Sequence, residues 1–126
     1  MIFVIGGYCQ GKADFVRETF GPAPDSFTDG AVCPVEGLQD LKVLSHFHAL
    51  VRRWLSAGLD PERAMTALLA SNPDLILISD EQGCGLIPMD PEEAAFRECH
   101  GRLCCRAAAR ADAVYRVVCG IGQKIK

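Results

Sequence analysis

Met1–Lys12, which reads MIFVIGGYCQGK, decides the fold of this 126-residue chain. Residues 1–5 are apolar and partly β-branched and end at a pair of glycines, a pattern typical of a buried parallel strand that enters a turn. Residues 6–12 then have the P-loop spacing, which is a glycine, four free residues and Gly-Lys. A helix is predicted directly afterwards. A strand, a glycine-containing turn and a helix in this order predict a loop whose main-chain N–H groups face one phosphate or a similar anion.

The residues of this loop are expected to hold the phosphates of a nucleotide. The main-chain N–H groups of residues 7–11 are expected around the β-phosphate, and the Lys12 ammonium on the outer phosphates. The next position normally holds a serine or threonine that binds magnesium, but here it is Ala13. We therefore expect Mg2+ with ATP or GTP as cofactor, with a weakened hold on the metal; the alternative is a plain glycine turn followed by a surface lysine. The candidate nucleotide-binding residues are Gly6, Gly7, Tyr8, Cys9, Gln10, Gly11, Lys12 and Ala13.

The rest of the chain alternates predicted strands with predicted helices. The predicted strands are Met1–Ile5, Ala31–Val35, Asp74–Ser79 and Ala113–Val118, and the predicted helices are Lys12–Phe20, Leu38–Leu55, Pro61–Ala70 and Asp90 to about Arg110. This alternation predicts an α/β fold, a P-loop NTPase-like three-layer sandwich with a mostly parallel sheet and helices on both faces. The chain length predicts a single domain over residues 1–126.

The composition argues against several classes of protein. With 49% apolar and 23% charged residues, a net charge of -3 and no block of like charges, the chain does not suggest a nucleic-acid partner. The apolar start lacks a basic region and soon reaches glycine, so we expect neither a signal peptide nor a membrane span, and a cytoplasmic location. An odd number of cysteines predicts reduced thiols rather than disulfides. These cysteines are Cys9, Cys33, Cys84, Cys99, Cys104, Cys105 and Cys119.

Motifs in the second half of the chain resemble one enzyme family. The motifs are DEQGCGLIP at residues 80–88, FRE at 96–98, GRL at 101–103 and ADAVYRVVCGIGQKIK at 111–126. Together with Ile2–Lys12, they resemble the bifunctional adenosylcobinamide kinase / adenosylcobinamide-phosphate guanylyltransferase family of cobalamin biosynthesis. The resemblance covers residues 1–20 and 74–126, and the chain is identified as a shortened, divergent member.

The resemblance implies a phosphotransferase. Members phosphorylate the aminopropanol hydroxyl of adenosylcobinamide with a nucleoside triphosphate, then transfer GMP through a guanylylated histidine, and assemble as trimers. It thus implies a nucleoside triphosphate, a cobinamide-type corrinoid and a homotrimer as partners here. The segment that bears the guanylylated histidine has no visible equivalent, so kinase activity is favoured over guanylyl transfer. Because family polar residues are replaced at Ala13, Ala94 and Cys104, the alternative is a non-enzymatic nucleotide- or corrinoid-binding or regulatory protein of the same fold.

Lys12, Glu81 and Glu36 are the candidate catalytic residues. Glu36 and the Asp80-Glu81 pair each follow a predicted strand, at the edge where α/β sheets place their ligands. A carboxylate there can bind magnesium through water or orient an attacking hydroxyl, which suits the turn motif that the resemblance highlights at Glu81. Turn or helix-cap chemistry is the alternative for both glutamates.

Two groups of residues that contain histidine are not predicted to form a functional site. His46 and His48 would point about 200° apart on a continuous helix, which predicts surface or packing roles rather than a nucleophilic pair. In a second group, His100 and Cys104 have the i, i+4 spacing that could hold a soft metal. The group lacks a Cys-x-x-Cys element, however, and reduced cysteines are commonly buried in the core. This second group is Cys99, His100, Cys104 and Cys105. No metal ligands are therefore predicted.

Overall fold

The computed structural model describes residues 1–83 and 85–126, so Cys84 and the prediction of a reduced thiol there lie outside the described residues. The strands of the described part are β1 (Ile2–Gly6), β2 (Phe27–Asp29), β3 (Val43–Ser45), β4 (Ile76–Asp80), β5 (Ala113–Val118) and β6 (Ile121–Lys124). Its α-helices are α1 (Lys12–Phe20), α2 (Phe47–Ser56), α3 (Pro61–Ser71) and α4 (Pro91–Arg110). None of these helices is long and apolar enough to cross a membrane.

The six strands form one sheet in the spatial order β2-β3-β4-β1-β5-β6. Neighbours from β2 to β5 are parallel, and β6 runs antiparallel to β5. Parallel strands end at the same edge of a sheet, so Asp29, Ser45, Asp80 and Gly6 lie along one edge, at the ends of β2, β3, β4 and β1. Ligands of α/β sheets bind beyond this carboxyl edge, and the candidate site is built there.

Helices cover both faces of the sheet. Side chains along a strand point alternately to opposite faces. Phe3 and Leu77 belong to a buried cluster that includes Trp54 of α2 and Leu103 of α4. Val4 and Ile78, the next residues along the same two strands, belong to a second buried cluster with Val16 of α1. The predicted α/β fold, a mostly parallel sheet with helices on both faces, is confirmed.

Two predictions between β2 and α2 are wrong. The segment Ala31–Val35 is part of the connection from β2 to β3 rather than a strand, and the edge strand lies earlier, at Phe27–Asp29. The first half of the predicted helix Leu38–Leu55 is not helical, because Val43–Ser45 forms β3 and α2 begins only at Phe47. His46 separates the two with a left-handed φ of 52°, which a continuous right-handed helix does not allow.

The other predicted elements follow from local signals. Asp60 and Asp90 accept hydrogen bonds from the main-chain N–H groups of Glu62 and Glu92, both at 3.0 Å, and so cap α3 and α4. Their prolines stand at the first position of each helix, as predicted. The elements that match to within two residues at each end are Ile2–Gly6, Lys12–Phe20, Pro61–Ser71, Ile76–Asp80, Pro91–Arg110 and Ala113–Val118.

Candidate functional site

The loop between β1 and α1 presents a row of main-chain N–H groups. Its backbone curls through left-handed conformations at Cys9 and Gly11, with φ of 53° and 81°. In the described part of the chain, the main-chain N–H groups of residues 8–14 donate to no protein acceptor, and Gly11 caps α1 without a side-chain bond. Unpaired N–H groups and the partial positive charge of a helix N-terminus attract anions. The geometry therefore suits a phosphate group.

The turn between β5 and β6 contacts this loop and helps to hold it in place. The main-chain oxygen of Gln10 accepts from Gly120 N–H, and its side-chain oxygen accepts from Cys119 N–H, both at 2.8 Å. A Cβ on Gly6 would lie 2.4 Å from the carbonyl oxygen of Val117, so the close approach of β1 to β5 requires glycine there. The turn after β5 thus helps to fix the shape of the loop.

Lys12 is buried at the centre of the site, with 7% of its surface exposed. Its Nζ lies 2.6 Å from the Asp80 carboxylate and 2.6 Å from the Gly7 carbonyl oxygen. Asp80 ends β4, the strand directly beside β1, which explains why its carboxylate reaches the lysine. The sequence predicts the Asp80-Glu81 pair at this edge, but the contact of Asp80 with Lys12 depends on strand order and is not predicted.

Glu81 faces a different partner. Its carboxylate lies 2.8 Å and 3.2 Å from Nε and Nη2 of Arg116 on β5, a two-point pairing that matches guanidinium geometry. Its main-chain N–H donates to the Gly6 carbonyl oxygen at 2.9 Å. Asp80 rather than Glu81 therefore contacts Lys12, and a catalytic role for Glu81 stays a prediction.

Glu36 lies in the connection between β2 and β3. It lines a cavity of about 540 Å³ together with Trp54, Asp60 and Arg63, under the start of α3. Glu36 is expected at the carboxyl edge only if Ala31–Val35 is a strand, and these residues form no strand. Its catalytic role stays a prediction that has lost its structural argument.

His48 joins the site from the first turn of α2. Its Nδ1 accepts from the main-chain N–H of Asp80 at 3.2 Å, and its Nε2 lies 3.7 Å from the Asp80 carboxylate. Burial lowers the pKa of His48; the Asp80 charge opposes this, while His46, Lys12 and Arg52 lower the pKa further. His48 is therefore neutral near pH 7, with its proton on Nε2, where it faces the carboxylate.

The expected separation of His46 and His48 is wrong. Their ring centroids lie 5.8 Å apart, edge to face. The helical angle does not apply, because His46 precedes α2 in a left-handed conformation instead of lying within the helix. Both histidines consequently stand at the carboxyl edge of the sheet.

His100 is buried beneath this edge. Its Nε2 lies 2.9 Å from Ser79 Oγ and 3.4 Å from Cys104 Sγ. Burial, with a smaller effect of His48, lowers the pKa of His100 to about 4. Burial likewise raises the pKa of the Cys104 thiol to about 12, so that thiol stays protonated. Within residues 1–83 and 85–126, no group of three or more histidine, cysteine or acidic side chains could hold a metal ion.

The parallel sheet, the glycine-containing loop that leads into α1 and the buried lysine define an α/β fold of the P-loop NTPase-like class. The chain belongs to the family described as cobinamide kinase / cobinamide phosphate guanyltransferase (CobU), whose model matches residues 48–125. The match includes His48 and Asp80 but not residues 6–13.

A curated relative agrees with this assignment. The chain is 44% identical over 52 residues to the bifunctional adenosylcobalamin biosynthesis protein CobU of Salmonella typhimurium (strain LT2). The aligned part is 41% of this chain and spans 29% of the relative's length. The resemblance to this family is confirmed.

Proposed function

We propose that this chain binds a nucleoside triphosphate at residues 6–13 and transfers its terminal phosphoryl group to a hydroxyl of a cobinamide-type corrinoid. The observation that carries this proposal is the row of unpaired N–H groups of residues 8–14 beside the buried Lys12. Family membership supports the corrinoid as acceptor. Catalytic roles for the side chains of Glu81 and Glu36 stay predictions.

Lys12 is prepared for a phosphate ligand. An ammonium group has three N–H donors. The Gly7 carbonyl oxygen and the Asp80 carboxylate engage two of them, which hold Nζ at the loop and leave a third for a phosphate oxygen. A nucleotide would therefore meet an oriented cation, and charged hydrogen bonds of this kind contribute about 1.5–3 kcal/mol each.

Magnesium bound with the nucleotide would neutralise negative charge on its outer phosphates. Magnesium prefers oxygen ligands and usually keeps several waters beside one or two carboxylates and the substrate phosphates. The Asp80 carboxylate offers such an oxygen next to Lys12, whereas the Ala13 methyl group offers none. The donor set fits a metal that the nucleotide itself largely holds.

We expect Ala13→Thr to tighten binding of Mg-ATP by about 0.5–1.5 kcal/mol, the contribution of one added polar contact, and to leave metal-free ATP unchanged. Isothermal titration with and without magnesium measures both affinities. Ala13→Val is the matched control, because valine has the shape of threonine without the hydroxyl. Equal gains in the two variants would show that the hydroxyl has no part.

The second candidate function is a non-enzymatic nucleotide- or corrinoid-binding protein. Ala13 favours it, because the missing hydroxyl removes a device that positions the metal in P-loop phosphotransferases. Neither candidate function includes guanylyl transfer, because the family segment with its guanylylated histidine has no visible equivalent in this sequence. From the family resemblance we also propose that the protein forms a homotrimer. We further propose that residues 1–126 form one domain.

Incubation with ATP or GTP labelled on the γ-phosphate, magnesium and cobinamide separates the two candidates. Transfer of label to cobinamide supports the kinase. Nucleotide binding by titration without any labelled corrinoid supports the non-enzymatic protein. Lys12→Ala is the control, and in this variant label transfer should fall as nucleotide binding weakens.

A further inference from the structure

A second pair of side chains stands at the same carboxyl edge. Asp29 ends β2, and His46 follows β3, the neighbouring strand. The His46 Nδ1 lies 2.8 Å from Asp29 Oδ1. A carboxylate only accepts hydrogen bonds, so Nδ1 carries the proton, and in the neutral ring Nε2 keeps a free lone pair. This is the arrangement in which an aspartate orients a histidine that accepts a proton.

The backbone holds this pair firmly. Asp29 Oδ1 also accepts from Ala31 N–H at 2.8 Å, and Gly30 N–H donates to the Ser45 carbonyl oxygen at 2.8 Å. A Cβ on Gly30 would lie 2.6 Å from the His46 carbonyl oxygen. His46 keeps its left-handed φ of 52° although a left-handed conformation costs a non-glycine residue about 1–2 kcal/mol. Such strain persists where surrounding structure imposes it, and it is common at functional sites.

Asp29 is suited to its position as the charged partner. Burial alone would raise the pKa of Asp29, but the Ala31 N–H, the His46 ring and the Arg53 charge together hold that pKa below its usual value. The carboxylate is therefore ionised near neutral pH. It can orient the His46 ring and stabilise the imidazolium that forms when Nε2 takes a proton.

His46 is the histidine whose free nitrogen can reach a ligand. The Nδ1 of His48 is engaged by the Asp80 main chain, and its Nε2 faces the Asp80 carboxylate. His100 is buried, with 2% of its surface exposed. The His46 side chain is 54% exposed. These are the three histidines of the sequence.

Successive contacts connect the pair to the phosphate loop. The His46 ring is 5.8 Å from the His48 ring, the His48 Nε2 is 3.7 Å from Asp80, and Asp80 is 2.6 Å from the Lys12 ammonium. These contacts run along the carboxyl edge from β3 through β4 to the loop after β1. An acceptor that approaches a phosphate held at Lys12 from the β3 side would meet His46.

We propose that His46 is the general base of phosphoryl transfer, with Asp29 as its positioning residue. The inference rests on the proposed kinase function. The acceptor hydroxyl oxygen attacks the γ-phosphorus, and the hydroxyl proton passes to His46 Nε2. The bond from the γ-phosphorus to the β–γ bridging oxygen breaks, and the nucleoside diphosphate leaves with that electron pair. The imidazolium then releases its proton to water.

Single-turnover and steady-state kinetics with ATP and cobinamide test the base. His46→Asn is the first variant, because asparagine tolerates a left-handed backbone, and His46→Gln is the second. General bases contribute about 10²–10⁴-fold, so both variants should lower kcat by that factor while the Kd for ATP stays within about twofold. Asp29→Asn should lower kcat less than either His46 variant does, with the KM for cobinamide unchanged.

A chemical readout needs no turnover. Diethyl pyrocarbonate acylates accessible neutral histidines, and peptide mass spectrometry assigns the site. His46 should react faster than His48 and His100 by at least tenfold, and ATP with cobinamide should protect it in the wild type but not in Lys12→Ala. A reaction that prefers His48, or no protection, overturns the inference.

The outcomes separate the base from the kinase itself. Wild-type kcat in folded His46→Asn and His46→Gln, judged by circular dichroism, overturns the base while the kinase stands. A phosphoryl group trapped on His46 also overturns it, because the ring would then be a nucleophile. A wild-type protein that binds ATP but never labels cobinamide overturns the kinase, and with it the base.

Discussion

Replacing Trp54 by alanine is expected to lower the free energy of unfolding by about 3–5 kcal/mol, the usual cost of removing a large buried aromatic side chain. Trp54 is 1% exposed, packs on the Phe47 ring with centroids 5.9 Å apart, and donates from Nε1 to the Val35 carbonyl oxygen at 2.8 Å. It thus joins α2 both to the core and to the connection between β2 and β3. Urea denaturation measures the loss.

Leu55 gives the matched control for Trp54. It follows Trp54 on the same helix but is 37% exposed. Leu55→Ala should therefore cost about 1–1.5 kcal/mol, well below the loss for Trp54→Ala, because it removes a smaller side chain that is already partly in water. Equal losses in the two variants would contradict the packing described for α2.

Lowering the pH from 7 to about 4.5 is expected to cost about 2–3 kcal/mol of stability through His100. Burial holds the pKa of His100 at about 4, against 6.5 in the unfolded chain. Between these values the unfolded chain binds a proton that the folded protein excludes, so stability is full above about pH 6.5 and is lost as the pH falls towards 4. Below that, both states are protonated and the loss stops.

Urea denaturation of the wild type and His100→Gln at both pH values isolates this contribution. Glutamine can still hydrogen-bond Ser79 Oγ but does not titrate, so the variant should lose about 2–3 kcal/mol less than the wild type on acidification. His48, whose pKa is also lowered by burial, and the carboxylates are present in both proteins, so most of their contribution cancels in the comparison. An identical pH dependence in the two proteins would contradict a buried neutral His100.

Local chemistry made much of the fold predictable. The glycine pair after β1, and the prolines and capping aspartates Asp60 and Asp90, act within a few residues of their own position, so the sequence alone reveals them. β3 could not be recognised this way. Val43 and Leu44 are both buried, one on each face of the sheet, and such a strand also satisfies the spacing of an apolar helical stripe.

The candidate site was predictable only where it is local. Lys12 and its loop follow from one continuous motif, whereas the approach of Asp80 to Lys12 depends on β4 lying beside β1, seventy-odd residues apart in sequence. The positions of His46 and His48 depend on β3 ending just before α2. The predicted edge position of Glu36 is not supported, because residues 31–35 form no strand. Strand order and strand ends, rather than residue types, decide which side chains meet at this edge.

Isothermal titration of ATP into the wild type, Lys12→Ala and Lys42→Ala tests nucleotide binding at the loop most directly. Lys42 is an exposed lysine before β3, at the opposite edge of the sheet, so its loss changes the net charge without touching the loop. We expect Lys12→Ala to weaken binding by about 1.5–3 kcal/mol, roughly 10- to 150-fold in Kd, and Lys42→Ala to bind as the wild type does. Wild-type protein that binds neither ATP nor GTP, or Lys12→Ala with unchanged affinity, would contradict a phosphate site at residues 6–13.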